Sequence, residues 1–304
     1  VRLRYRGGHV DIVRPLVMGV VNATPDSFSD GGELRGSHAQ VERGIDLVAQ
    51  GADLLDIGGQ SAITGVPEIS VAEEIDRLVP VVAGVRAEST CLISVDTYRP
   101  AVAVAALDAG ADIINDISGV RDPTLADIVA ARGAGIVLMH TRWRPKTRDD
   151  ARTLYTSDGG VVRDVVSFLQ TRFDELIAAG VDPEQVVLDP GPDFAKTAAH
   201  TVDVLRALDE VVALGRPVLL ALSRKDFVGV ITARPPKERL AGTLAAIAFT
   251  IARAPASIVR VHDVGEVRDF LAVLDVLEGR AEIDPDAGLD RALRWQARIA
   301  PGST

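Results

Sequence analysis

Short apolar runs recur along the whole chain, each ending in or followed by polar residues. They read LVMGVV (16–21), LLDIGG (54–59), LISVD (92–96), DIINDI (112–117), GIVLMH (135–140), QVVLDPG (185–191), PVLLALS (217–223) and SIVRVHD (257–263). Runs of this length without strict alternation predict strands buried on both faces. Between them the pattern changes to three- and four-residue steps. Val71, Ile75, Leu78, Val79 and Val82 predict one helix, which the capping-box pattern SVAE (70–73) opens. Val165, Leu169, Phe173 and Leu176 predict another, and Leu205, Leu208 and Val212 a third. Two strands are entered alike, through QGADLLD and AGADIIND, where the glycine fits the position just past a helix.

Strict alternation of strand and helix implies parallel strands joined by right-handed crossovers. Eight such units predict a closed (β/α)8 TIM barrel of the α/β class in one domain, residues 16–278. An open doubly wound sheet is the alternative. It calls for a glycine-rich nucleotide loop after the first strand, and NATPDSFSDGG does not match one. Residues 1–15 are expected to form a short lid or hairpin under the barrel, and residues 279–304 a loosely held polar tail.

Composition narrows the function. Aromatics are 4% of the 304 residues, so aliphatic side chains must fill the core. A net charge of −10 argues against nucleic acid or an anionic membrane as the main partner. A single cysteine, Cys91, excludes an internal disulfide framework and cysteine-based zinc sites. No apolar run is long enough for a membrane helix, and VRLRYRGG is followed by no signal-peptide core. The expected location is cytoplasmic.

Barrel chemistry sits at the carboxyl ends of the strands. Those ends carry Asn22, Asp56 with the Gly58–Ser61 cluster, Asp96, Asn115 with Asp116, Met139 with His140, and Asp189. The seventh ends in Ser223, Arg224 and Lys225, and the eighth in Arg260, His262 and Asp263. A helix cap explains any one such residue, but not a polar group on nearly every strand. The glycine pair 58–59 is expected to let backbone approach a ligand. Asp96, Asn115 and Asp189, beside Lys225, suit a flat heterocycle with several N–H donors, such as an amino-oxo-pyrimidine. Arg260 and His262, two residues apart on one strand, are expected to point the same way toward a phosphate site, with Asn22 joining an anion–metal site.

The chain resembles dihydropteroate synthase over nearly its whole length. The matching stretches are MGVVNATPDSFSDGG (18–32), GADLLDIGG (51–59), ISVDTYRPAVAVAALDAGADIINDISG (93–119), LDPGPDFAKT (188–197), LSRKDFVG (222–229), ERLAGTLAA (238–246) and RVHDV (260–264). The resemblance implies a (β/α)8 barrel that joins 4-aminobenzoate to a dihydropterin methyl diphosphate, with magnesium (Mg2+) assisting. It implies that Asp96, Asn115, Asp189 and Lys225 hold the pterin, with Met139 and Phe194 packing near it. Asn22, Arg260 and His262 would hold the diphosphate, Asn22 also bearing on magnesium. Ser223 and Arg224 would frame the aminobenzoate entrance. Lys225, Arg260 and Asn22 would form the catalytic set, and a homodimer would pack through the last helices.

Three departures from the family pattern bear on activity. After the second strand the family reads Gly-Gly-Glu-Ser-Thr-Arg-Pro-Gly, whereas this chain has Gln60, Ala62 and Ile63 for the Glu, Thr and Arg. Pro192 and Asp193 stand in a loop that the family keeps rich in glycine. Residues 141–160 carry Arg142, Arg144, Lys146, Arg148 and Arg152. That segment is either a solvated surface loop or a replacement anion clamp. Similar substitutions mark a divergent second-copy bacterial branch. Two further functions therefore stand beside the synthase: a pterin- or diphosphate-binding paralogue without turnover, and a corrinoid-type pterin methyltransferase. The SRK and RVHD stretches argue against the last.

Overall fold

The computed structural model describes residues 1–23, 33–60, 66–147, 151–156, 160–290 and 293–294. Strands β1 (Arg2–Tyr5) and β2 (Gly8–Asp11) pair as an antiparallel hairpin. Eight parallel strands follow: β3 (Leu16–Asn22), β4 (Leu54–Gly58), β5 (Leu92–Asp96), β6 (Ile113–Asp116), β7 (Gly135–Met139), β8 (Val186–Asp189), β9 (Val218–Leu220) and β10 (Ser257–Val261). They pair in chain order, and β10 closes onto β3, so the sheet is the expected barrel.

The helices are α1 (Glu33–Ala49), α2 (Val71–Glu88), α3 (Pro100–Ala109), α4 (Thr124–Arg132) and α5 (Gly160–Ala178). Then come α6 (Ala198–Arg206), α7 (Leu208–Val212), α8 (Asp226–Thr232), α9 (Leu240–Ile251) and α10 (Val264–Leu277). Gly110 ends α3 in the left-handed region, at φ 115°, as the repeated GAD entry predicts. Three details of the helix reading need correction. Ser70 does cap α2 by accepting the Glu73 N–H at 3.1 Å, but the Glu73 carboxylate turns to Arg77, so only half of a capping box forms. The helix also turns Glu74 inward, where it bonds Thr97 and Arg99, and leaves Val71 exposed. The 198–212 segment is two helices, because Ala207 at φ −96°, ψ 23° interrupts the ladder.

Two apolar layers frame the site. The larger lies between the strands and the ring of helices, around residues such as Val21, Leu55, Val82, Ile114 and Leu188. The smaller fills the lower barrel and includes Leu54, Ile113, Val137, Val187 and Ile258, with Leu3 and Ile12 from the hairpin region packed into it. Strand alternation puts residues two apart on the same face. The inward positions directly above those five residues are therefore Asp56, Asn115, Met139, Asp189 and Arg260. A dry plug below and a polar layer above fix where ligand chemistry can occur.

Candidate functional site

Asp56, fully buried, is the hub of the polar layer. Its carboxylate accepts from Ser94 Oγ at 2.7 Å, Asn115 Nδ2 at 3.1 Å and Arg260 Nε at 2.6 Å. Arg260 also reaches Asp96 at 3.5 Å. Burial opposes the Arg260 charge, yet Asp56 and Asp96 outweigh it and hold the guanidinium above its ordinary pKa. Burial, with the Asp56 charge adding to it, pushes Asp96 up to about 7. Asn115 donates to Asp56 through its nitrogen, which leaves its buried Oδ1 without a donor. An orphaned buried acceptor calls for a partner N–H.

Asp189 lies across the barrel. It accepts the Gly191 N–H at 2.7 Å, and burial pushes it up to about 6. The loop that follows is held tightly. Gly191 sits at φ 63°, where an added Cβ would lie 2.1 Å from the His140 carbonyl, so no other residue fits. Asp193 and Ala195 are also left-handed, at φ 65° and 51°. The Asp193 carboxylate accepts from Thr201 Oγ1 at 3.1 Å and from the Asp226 and Phe227 N–H groups at 2.6 and 3.3 Å. Asp193 thus ties the β8 loop to the start of α8 and to Lys225 just before it. This departure from a glycine-rich loop is a structural clasp and needs no altered chemistry to explain it. The Lys225 ammonium lies 4.3 Å from the Phe194 ring centroid, a cation–π contact.

The remaining rim residues sort themselves by partner. Asn22 ends β3 exposed beside Gly58. Met139 ends β7 fully inside the barrel. β10 stops at Val261, so His262 lies one residue past the strand, close enough to Arg260 for that charge to act on it. His262 Nδ1 meets Ser223 Oγ at 3.0 Å, and burial, with Arg260 next in effect, lowers its pKa to about 4. It is a neutral hydrogen-bonding group at pH 7 in the free protein. Arg224 makes a two-pronged pair with Asp263, which meets its charge internally. The glycine pair also has a packing reason: a Cβ on Gly59 would lie 2.8 Å from Leu78 Cγ of α2.

Above the floor is a cleft. Asp96, Tyr98, Phe194 and Gln60 line it on the barrel side. Trp143, Arg144, Pro145 and Lys146, from the basic segment after β7, line it from above. The segment is therefore not a wholly solvated surface loop. Its members divide: Arg144 and Lys146 face the cleft, whereas Arg142 forks onto Asp164 outside it. Arg148 lies outside the described residues, as do Ala62 and Ile63. Gln60 is taken up by its neighbours. Its amide donates to Tyr98 Oη at 2.9 Å and its oxygen accepts the Ile69 N–H at 3.0 Å. Tyr98 in turn donates to Glu68 at 2.6 Å.

The described geometry of a plugged barrel with this rim agrees with comparisons to known proteins. The model of the pterin binding enzyme family matches residues 18–262. The chain belongs to the pterin-binding enzyme family. A dihydropteroate synthase from Synechocystis is 42% identical over 266 residues, covering 87% of this chain and 90% of its own. The protein called inactive dihydropteroate synthase 2 from Mycobacterium tuberculosis H37Rv is also 42% identical, over 268 residues, covering 88% of this chain and 84% of its own. Among solved structures, Xanthomonas albilineans dihydropteroate synthase with 4-aminobenzoic acid superposes with a TM-score of 0.82 at 39% identity. It covers 91% of this chain and 99% of that one.

For a pterin-binding enzyme, two groups were given no role in the sequence reading. Asp56 was visible at a strand end, and its spacing from Leu54 could have placed it on the ligand face. Lys196 lay in the matched LDPGPDFAKT stretch, and nothing in spacing signalled that it is buried. Magnesium has a modest fit here. Among the described residues no group of three His, Cys, Asp or Glu could cage a metal. The Asn22 carboxamide offers one hard oxygen, which suits an ion that arrives with phosphate oxygens of its substrate.

Proposed function

We propose that this chain condenses a dihydropterin methyl diphosphate with 4-aminobenzoate in folate biosynthesis. The C–O bond to diphosphate breaks, a C–N bond to the aniline nitrogen forms, and the amine loses a proton to solvent. The observation that carries this reading is the polar layer: an orphaned Asn115 Oδ1 and two carboxylates, Asp96 and Asp189, converge on one buried floor. Acceptors of this kind match the N–H edge of a pterin ring. Family membership and the 4-aminobenzoic acid and 7,8-dihydropteroate in the Xanthomonas structures support it. Lys225, over Phe194, sits where it can steady ring and leaving group. Arg260, His262 and Asn22 line the diphosphate side, with Asn22 and the diphosphate holding Mg2+, which would screen the leaving charge. Ser223 and Arg224 border the amine entrance. Catalysis then rests on stabilising the departing charge and positioning the amine.

Calorimetric titration of a pterin tests the floor. Asp189→Ala is expected to weaken binding by roughly 1–3 kcal/mol, the cost of leaving polar groups unpaired. Unchanged affinity in a folded variant sinks the assignment. A coupled diphosphate-release assay with both substrates tests turnover. A second reading, a binding paralogue without turnover, is favoured by the occupation of Gln60 in the Tyr98–Glu68 network and by the mycobacterial relatives named inactive.

The site of action is read as cytoplasmic; among the described residues no helix is long and apolar enough to cross a membrane. We further read the chain as a homodimer through its last helices. Ile231, Val273 and Leu277 are 67%, 60% and 78% exposed there, and a second copy would cover them. Sedimentation is expected to show a dimer that Val273→Glu with Leu277→Glu converts to monomer. A wild type that sediments as a monomer removes this reading.

A further inference from the structure

We propose that Lys196 is a positioning residue for the pterin site: its protonated amine clasps the loop after β8 and so fixes Asp189 and Phe194. The proposal rests on the pterin reading above. Lys196 is buried, and its Nζ lies 2.9 Å from the Gly191 carbonyl, 3.1 Å from the Phe194 carbonyl and 2.7 Å from His140 Nδ1. The His140 carbonyl stands farther off, at 3.5 Å. The ring tautomer follows from its other side. His140 Nε2 is 2.9 Å from the Asp164 carboxylate, which can only accept, so Nε2 carries the proton and Nδ1 accepts from Lys196. Three close acceptors demand three N–H donors. An ammonium supplies them, whereas a neutral amine would turn its lone pair on one acceptor.

The clasp spans Gly191 to Phe194, a segment with left-handed residues at Gly191, Asp193 and, next to it, Ala195. Such backbone persists only where its surroundings over-determine it. Tyr155 Oη adds a bond to the Ala195 carbonyl at 2.8 Å. The charged groups facing Lys196 are Asp189 on β8, Asp193 in the loop, Asp164 on α5 and Lys225 before α8. Burial outweighs the acidic ones and lowers Lys196 to about 7. His140 stays neutral, since burial and then the Lys196 charge lower it to about 3. The sign follows: below its pKa Lys196 is an ammonium and the clasp is complete. As pH rises through that pKa the proton leaves and the clasp loosens.

Pterin affinity on the alkaline side should therefore depend on Lys196. The test uses the full chain and 6-hydroxymethyl-7,8-dihydropterin as probe. Affinity is measured by calorimetry for wild type, Lys196→Arg and Lys196→Met from about pH 6 to about 9. Ionisation of the ligand and of the carboxylates common to all variants cancels in the ratio of wild-type to Arg-variant affinity. That ratio is expected to fall about tenfold as pH rises, because one unit of pKa difference between free and bound protein is a factor of ten. Lys196→Met should bind weakly throughout, at a constant ratio to the Arg variant. A ratio of wild type to Arg variant that stays flat overturns the proposal.

Two readouts on the ligand-free protein stand apart from the pterin reading. The chain has four lysines, so carbon-labelled lysine NMR resolves them, and Lys196 should titrate near neutrality. Amide exchange in 190–196 should accelerate more in wild type than in Lys196→Arg as pH rises. If the Arg variant does not fold, single substitutions of the other lysines assign the signal, and exchange is compared with Lys196→Met. If no form binds the pterin but titration and exchange behave as stated, the clasp stands and the pterin reading falls. Exchange in this loop that is indifferent to the substitution sinks the clasp.

Discussion

Asp56→Ala is expected to destabilise the fold by about 3 kcal/mol, because it strands a largely buried guanidinium. Asp56 is fully buried and receives Arg260, Asn115 and Ser94 together. Without it, Arg260 keeps only the longer 3.5 Å contact to Asp96. Asn115 loses the acceptor that fixes its amide, and its orphaned Oδ1 no longer has a defined direction. Pterin affinity should therefore fall along with stability. Urea unfolding measures the first effect and calorimetry the second. The double variant Asp56→Ala with Arg260→Met separates charge from shape. Removing both partners leaves no stranded guanidinium, so it should be more stable than Asp56→Ala alone. If Asp56→Ala unfolds at the same urea concentration as wild type, Asp56 is not the hub described.

The barrel was legible because its physics is local. Eight apolar runs and the helical periods between them each report burial at their own position, and the two GAD entries announce their turns. The strand-end acids Asp96 and Asp189 were legible for the same reason. Partnership was not. Arg260 pairs with Asp56 across a gap of 204 residues, and only barrel closure brings β10 against β3 and β4 near enough. His262 was assigned to a strand that ends one residue earlier. Arg142 and Arg144 look alike in sequence, yet one turns outward to Asp164 and the other lines the cleft. Lys196 is the extreme case, since a lysine reads as solvent-facing until three acceptors are seen around it.

Turnover of 4-aminobenzoate should be slow in the wild type and should depend on the segment after β7. Ala62 and Ile63 supply neither the hydroxyl nor the charge that the Thr–Arg pair of the resembled family carries. Losing a donor aimed at developing charge costs on the order of 10²–10³ in rate. Arg144 and Lys146 line the same cleft as Asp96 and Phe194, so they are the cations expected to replace it. Arg144→Ala and Lys146→Ala should each lower kcat/KM by about 10²-fold, and Arg142→Ala much less, because its charge is already spent on Asp164. Ala62→Thr with Ile63→Arg should raise kcat/KM, by roughly tenfold for each 1.4 kcal/mol regained in the transition state. The coupled diphosphate-release assay decides among the alternatives. Ordinary rates that survive both cleft substitutions would show that neither the missing pair nor the basic segment controls the reaction. A silent wild type that stays silent after the double restoration, while still binding pterin, makes the chain a binding paralogue: its floor is intact, and the charge that should meet the leaving group is absent.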